Sequence, residues 1–202
     1  MKISFLEVLS NGYSILKSSL VMLNEFIYFD ENQYLREKCN NYEAINELTS
    51  QFEEAIKSLE QYSKIEQIFL FGNLGNLYRI AGDSKQAVNI LEKSFKLAEE
   101  SGLKKLKIAN LIRLGEAYKY AGQYEEALRL FDLAIRALTP TDDCDLVDFA
   151  LQHKGKCLME LDEWKIALSH FNEALSIRKR KKEQSLIHST ELAIQFVKEN
   201  RN

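Results

Sequence analysis

His153 and Cys157 stand four residues apart, a spacing that on a helix puts an imidazole and a thiol on one face, where they could ligate a metal. Two further ligands are not evident, so the pair reads as two partly buried helix residues. His170 and His188 have no carboxylate or cysteine partner at a diagnostic spacing. Glu53-Glu54 and Glu125-Glu126 are adjacent within helical stretches, so neither pair converges on one substrate. No phosphate loop, nucleophile elbow or zinc-helix motif is present. The sequence points away from an enzyme, and it calls for no cofactor, metal or small-molecule substrate. The basic run Arg178-Lys179-Arg180-Lys181-Lys182 could dock an acidic protein or nucleic acid. The plainer reading is preferred: cations at a helix C-terminus offset its partial negative charge.

Composition agrees with a binding role. The chain has 202 residues, 46% hydrophobic and 28% charged, enough to bury a continuous core. One proline and eight glycines favour helices over strands. A net charge of −3 gives no support for a nucleic-acid partner. Cys39, Cys144 and Cys157 form no Cys-x-x-Cys pair, which suits a reducing compartment. In the apolar opening segment, Glu7, Asn11 and Lys17 interrupt every stretch long enough for a signal sequence or a membrane span. The expected location is cytoplasmic, with no membrane partner.

The elements that would position a binding surface repeat every forty residues. Gly75, Gly115 and Gly155 keep that step, as do Ala87, Ala127 and Ala167. Leu74/Leu114, Tyr78/Tyr118 and Gly82/Gly122 keep it between the first two copies, and Asp162 stands where a third glycine would fall. A fixed period of this length signals a solenoid, which presents a surface. Within each copy, apolar residues recur at three- and four-residue steps, as in Ile68, Phe71, Leu74 and Tyr78, predicting a helix over about 66–81. Ala81-Gly82-Asp83 ends that helix, and Asp83 or Ser84 can cap the next. The second copy turns at Ala121-Gly122-Gln123 and closes at Thr139-Pro140, where Thr141, Asp142 and Asp143 are capping candidates. The third turns at Leu161-Asp162-Glu163.

These positions resemble the tetratricopeptide repeat family. Phe71-x2-Leu74-Gly75-x2-Tyr78 with Ala87-x3-Leu91 matches the family pattern. So does Leu111-x2-Leu114-Gly115-x2-Tyr118 with Ala127-x3-Phe131, and more weakly Leu151-x2-Lys154-Gly155-x2-Leu158 with Ala167-x3-Phe171. The forty-residue length is similar to the longer repeats of kinesin light chains, Pins-type adaptors and Rap-type bacterial regulators. The resemblance implies an all-α, right-handed superhelix of antiparallel helix pairs with capping helices at both ends. It also implies a concave groove lined by the first helix of each pair. Asn73, Asn76, Arg79, Arg113, Glu116, Lys119, Tyr120, Gln152, Lys156 and Glu160 fall there outside the apolar seam. Their amides and mixed charges suit an extended peptide. The carboxylate clamp of chaperone-binding relatives is not reproduced, since Gly72 and Phe149 stand where lysines belong, Arg113 replaces an asparagine and His153 an arginine.

The expected organisation is an apolar helical segment over 1–33, with a break at Asn11-Gly12, then a divergent helix pair over 34–65. Three repeats follow at about 66–105, 106–145 and 146–182, with a capping helix over 183–202. The divergent pair is suggested by Gln51-Phe52-Glu53-Glu54-Ala55, which reads like Gln123-Tyr124-Glu125-Glu126-Ala127. No sheet is expected. Phe5, Leu9, Leu16, Leu20, Leu23, Phe26 and Ile27 either pack back onto the chain, the preferred reading, or bury themselves in a homodimer. The function expected is an adaptor holding a peptide or helix of another protein in the groove. The alternative is a sensor resembling Rap-type regulators, in which a bound peptide changes the superhelix pitch.

Overall fold

The computed structural model describes residues 5–138 and 146–200, with side chains from Gly12 onward. The expected stop at Thr139-Pro140, its capping candidates Thr141, Asp142 and Asp143, Cys144, and the side chains of Phe5 and Leu9 lie outside that description. The chain opens with α1 (Phe5–Leu23), a short antiparallel hairpin of β1 (Ile27–Asp30) and β2 (Arg36–Cys39), and α2 (Tyr42–Ile56). Three antiparallel pairs follow: α3 (Lys64–Ala81) with α4 (Ser84–Glu100), α5 (Lys104–Tyr120) with α6 (Tyr124–Ala137), and α7 (Val147–Glu160) with α8 (Trp164–Lys181). Helix α9 (Gln184–Asn200) covers the end, burying Ala193, Ile194 and Val197 while Glu191, Lys198 and Glu199 face outward.

Local chemistry sets these boundaries. Ser63 and Glu66 form a reciprocal capping box at the start of α3. Gly82 ends that helix in the left-handed conformation, and Asp83 caps α4 by accepting from the Gln86 amide at 3.0 Å. The third copy makes the same turn without glycine, Asp162 taking φ 60°. The close crossing within each pair depends on the repeated glycine of its first helix. A Cβ on Gly115 would lie 2.8 Å from the Phe131 ring, and one on Gly155 would lie 2.6 Å from the ring of Phe171. The bare backbone makes room for an aromatic ring of the second helix, and Ala127 and Ala167 are fully buried beside it.

The all-α solenoid of helix pairs is as the repeat implied, while its N-terminal part differs in three ways. Helix α1 runs unbroken through Asn11-Gly12. Residues 27–39 form a two-stranded sheet where none was expected, with Ile27 opposite Cys39 and Asp30 opposite Arg36. The span 34–65 holds β2 and one long helix, α2, instead of a helix pair. Gln51-Phe52-Glu53-Glu54-Ala55 lies near the end of α2, so its likeness to the start of α6 does not mark a helix start. The hairpin is inserted between α1 and α2, which pack together through Leu16, Leu23, Ile45, Leu48 and Phe52 against α3. Leu16 and Leu23 are thus buried within the chain, whereas Val21 and Met22 are exposed.

Candidate functional site

The forty-residue period stacks the polar residues of α3, α5 and α7 in columns along one face. Asn76, Glu116 and Lys156 share one register, Arg79 and Lys119 the next, and Tyr120 and Glu160 a third. Of these, Arg79, Glu116, Lys119 and Lys156 are buried, as is Gln152 one turn before Lys156. Burial of so many polar residues requires a cover, and the β-hairpin supplies it.

Strand β2 crosses the face from the last repeat to the first. Leu35 packs with Leu158, Met159 and Phe171 in the C-terminal core, and Tyr34 stacks on Trp164 with ring centroids 6.2 Å apart. At the other end Cys39 joins the core formed by α1, α2 and α3. Between these anchors, Arg36 Nε donates to Glu160 Oε1 at 3.0 Å and its Nη2 to Glu160 Oε2 at 2.5 Å. The same guanidinium donates to the Lys119 carbonyl at 3.3 Å, which also accepts from the Gly122 amide, and so sets a cation at the negative C-terminal end of α5. Glu37 accepts from Arg79 Nη2 at 2.6 Å. The Lys156 ammonium donates to the Leu35 carbonyl at 3.4 Å and lies 4.3 Å over the Phe29 ring. Tyr120 is wedged between the cations of Arg36, Arg79 and Lys119, each about 4.7–4.9 Å from its ring centre.

Burial under the hairpin sets the electrostatics of this face. Burial opposes ionisation of Glu116, but the charges of Arg79, His153 and Lys119 hold its carboxyl well below the usual range. Burial raises and Arg79 lowers the Glu37 carboxyl, with a net downward shift. Lys156 is pushed down to about 8 by burial, and the cations of Lys119 and Arg79 add to the effect. Burial alone also lowers Arg113, and among the described residues no carboxylate lies within ion-pair distance of Arg113 or Lys156. Hydrogen bonding under the hairpin is incomplete. Asn76 Oδ1, Arg79 Nε, Lys119 Nζ and both amide atoms of Gln152 are buried without a hydrogen-bond partner.

The structure therefore gathers Arg79, Glu116, Lys119, Tyr120, Lys156 and Glu160 beneath one segment, with Asn76 in register with Glu116 and Lys156, Gln152 buried one turn before Lys156, and Arg113 beside Gly72. Asn73 differs, spending its amide on the Phe69 carbonyl of its own helix at 2.8 Å. The departure from a carboxylate clamp has a steric cause: a Cβ on Gly72 would meet Arg113 Nη1 at 2.9 Å, so the guanidinium lies where a side chain would. His153 turns to Glu116, Nδ1 to Oε1 at 3.1 Å, and stacks on Phe131, while Cys157 is buried with its thiol pushed up to about 12 by burial. No cluster of three potential metal ligands occurs among the described residues. The basic run is partly structural, since Arg178 is buried against Asp148 at 2.7 Å and bonds Thr190 at 2.7 Å.

Sequence reading missed Phe29, Tyr34, Leu35, Arg36 and Glu37. Ile27-Tyr28-Phe29 followed by Asp30-Glu31-Asn32 is a short strand and turn signal. Asn41-Tyr42-Glu43, which opens α2, corresponds in position to Gln123-Tyr124-Glu125 at the start of α6 and shares its Tyr-Glu pair.

Comparison with known proteins places this geometry. Residues 66–139 and 105–180 match the sequence profile of the tetratricopeptide repeat. No curated protein matches the chain in sequence. Among solved structures, the apo form of RapI is similar at 19% identity and TM-score 0.62, over 78% of this chain and 44% of that one. A Rap protein complexed with competence and sporulation factor gives 14% identity and TM-score 0.68, over 76% and 43%. A kinesin light chain-type protein of Podospora anserina with nearly identical TPR-like repeats gives 13% and 0.62, over 97% and 87%. The chain thus spans less than half the length of the two Rap structures. No helix among the described residues is long and apolar enough to cross a membrane.

Proposed function

This chain belongs to the tetratricopeptide repeat family, and on that premise we propose that it is a protein-interaction module whose concave face binds an extended segment of a partner protein. The observation that carries the reading is the hairpin itself. Side chains of α3, α5 and α7 hold the backbone and the charged groups of β2 through Tyr120, Arg79, Glu160 and Lys156, so the face is already built to grip a peptide. The role is binding, not catalysis, and the surroundings are cytoplasmic.

A second reading has its own observation. The hairpin ties the first core to the last across the groove, so releasing it would free the superhelix to change pitch. That supports a peptide-responsive regulator resembling the Rap proteins, one of which was solved in complex with competence and sporulation factor.

Asn76 and Arg113 belong to the expected groove without a bond to the hairpin, so Asn76→Ala with Arg113→Ala tests the groove. A partner captured by the wild-type chain should bind this variant at least tenfold more weakly, about 1.4 kcal/mol. Equal binding, with loss only when Lys179, Arg180 and Lys182 are neutralised, would move the site to the basic run.

A further inference from the structure

Strand β2 shows what chemistry the groove selects. Resting on the groove reading above, we propose that the partner segment carries an aromatic–leucine–arginine–glutamate pattern, like Tyr34-Leu35-Arg36-Glu37, and that it binds by displacing the hairpin.

Each position of that pattern has a matched receptor. The aromatic meets Trp164 and Phe196, and the leucine enters the apolar end formed by Leu158 and Met159. The arginine pairs with Glu160 and the C-terminal carbonyls of α5, and the glutamate pairs with Arg79. Reversing the order of the two charges would set arginine against Arg79 and glutamate against Glu160, so the charge order is selected.

The hairpin is a displaceable occupant. Tyr34 and Leu35 both take left-handed backbone, φ 51° and 57°, which bulky residues adopt only when tertiary contacts hold them there. A free segment need not carry that strain. The hairpin also leaves Arg79 Nε, Lys119 Nζ and the Gln152 amide without hydrogen bonds, contacts a partner can add. Lys156 and Arg113, without carboxylate partners, favour an acidic flank on that partner. Against displacement stands the tether, which gives the hairpin an effective concentration on the order of millimolar.

The probe is a fluorescent peptide of sequence Gln-Tyr-Leu-Arg-Glu-Lys, titrated by anisotropy into the full chain and into Arg36→Ala with Glu37→Ala, whose groove is intact. The variant should bind at least tenfold tighter than the wild type, and a peptide with Arg and Glu exchanged should bind neither. Equal binding of both peptides would overturn the pattern while leaving a peptide groove in place. Absence of binding to the variant would overturn the pattern and the groove reading together. If the variant does not fold, hydrogen exchange of the wild-type Glu37 amide decides. Saturating peptide should accelerate it at least tenfold, and unchanged protection overturns displacement.

Discussion

Tyr120 of α5 pairs both backbone groups of Glu37. The Glu37 amide donates to Tyr120 Oη at 2.6 Å, and the hydroxyl donates back to the Glu37 carbonyl at 3.4 Å. Asn76, a groove amide suited to a peptide unit, makes no such pair, its Oδ1 being buried without a hydrogen-bond partner. The Tyr120 ring is a platform for cations, and its hydroxyl does the pairing.

That relationship changes what Tyr120 does for stability. Tyr120→Phe leaves the Glu37 amide unpaired in a half-buried site and should cost about 1–3 kcal/mol. Asn76 and Tyr120 replaced together by Ala should therefore lower the melt. Urea unfolding of the three proteins checks this, and Asn76→Ala alone should have the smallest effect.

Arg79 sits between Glu37 and Glu116 with its side chain almost fully buried. Arg79→Ala strands two carboxylates and should destabilise by about 3–5 kcal/mol. Arg79→Ala with Glu37→Ala should cost clearly less than the sum of the two single changes. A double-mutant cycle returning additive costs would show that the pair is not coupled.

Lys156 gives a signed pH dependence. Its folded value of about 8 lies below the 10.5 of the free side chain, so between those values the unfolded chain holds more protons. The cost of burying this cation, on the order of 3 kcal/mol, is present below about pH 8 and fades as pH rises toward 10.5. Lys156→Met should be more stable than wild type at pH 7, and its advantage should shrink by pH 9.5. Unfolding of both proteins at the two pH values measures the difference, in which other titrating groups cancel.

Gly115→Ala pushes a methyl group into Phe131 and should destabilise by about 1–3 kcal/mol. Ala127→Leu, at a fully buried position of the same crossing, should cost a similar amount. Adding Phe131→Leu to Gly115→Ala should recover part of the loss. A thermal melt unmoved by either single change would place the crossing elsewhere.

Within the basic run, Arg178→Ala should cost about 1–3 kcal/mol, because Asp148 keeps its ion pair with Lys181 while Thr190 and the Leu186 carbonyl lose a buried donor. Neutralising the exposed Lys179, Arg180 and Lys182 should change the melt by less than about 0.5 kcal/mol. Circular dichroism melts of both variants separate a structural arginine from a surface run.

The period of forty fixed the helix pairs and their turns, and the resemblance to tetratricopeptide repeats pointed to the face that carries Asn76, Arg79, Glu116, Lys119, Tyr120, Lys156 and Glu160. Helix periodicity and turn chemistry are local, so a single sequence displays them. Asp162 could be assigned its left-handed turn for the same reason. The hairpin was not legible in this way. Tyr34 and Leu35 hold backbone that their residue types disfavour, and Arg36 and Glu37 find their partners more than forty residues away. What covers a groove depends on contacts between distant segments, which no short-range pattern encodes. Only the tertiary structure could show that the polar residues chosen for an outside peptide already hold a strand of their own chain.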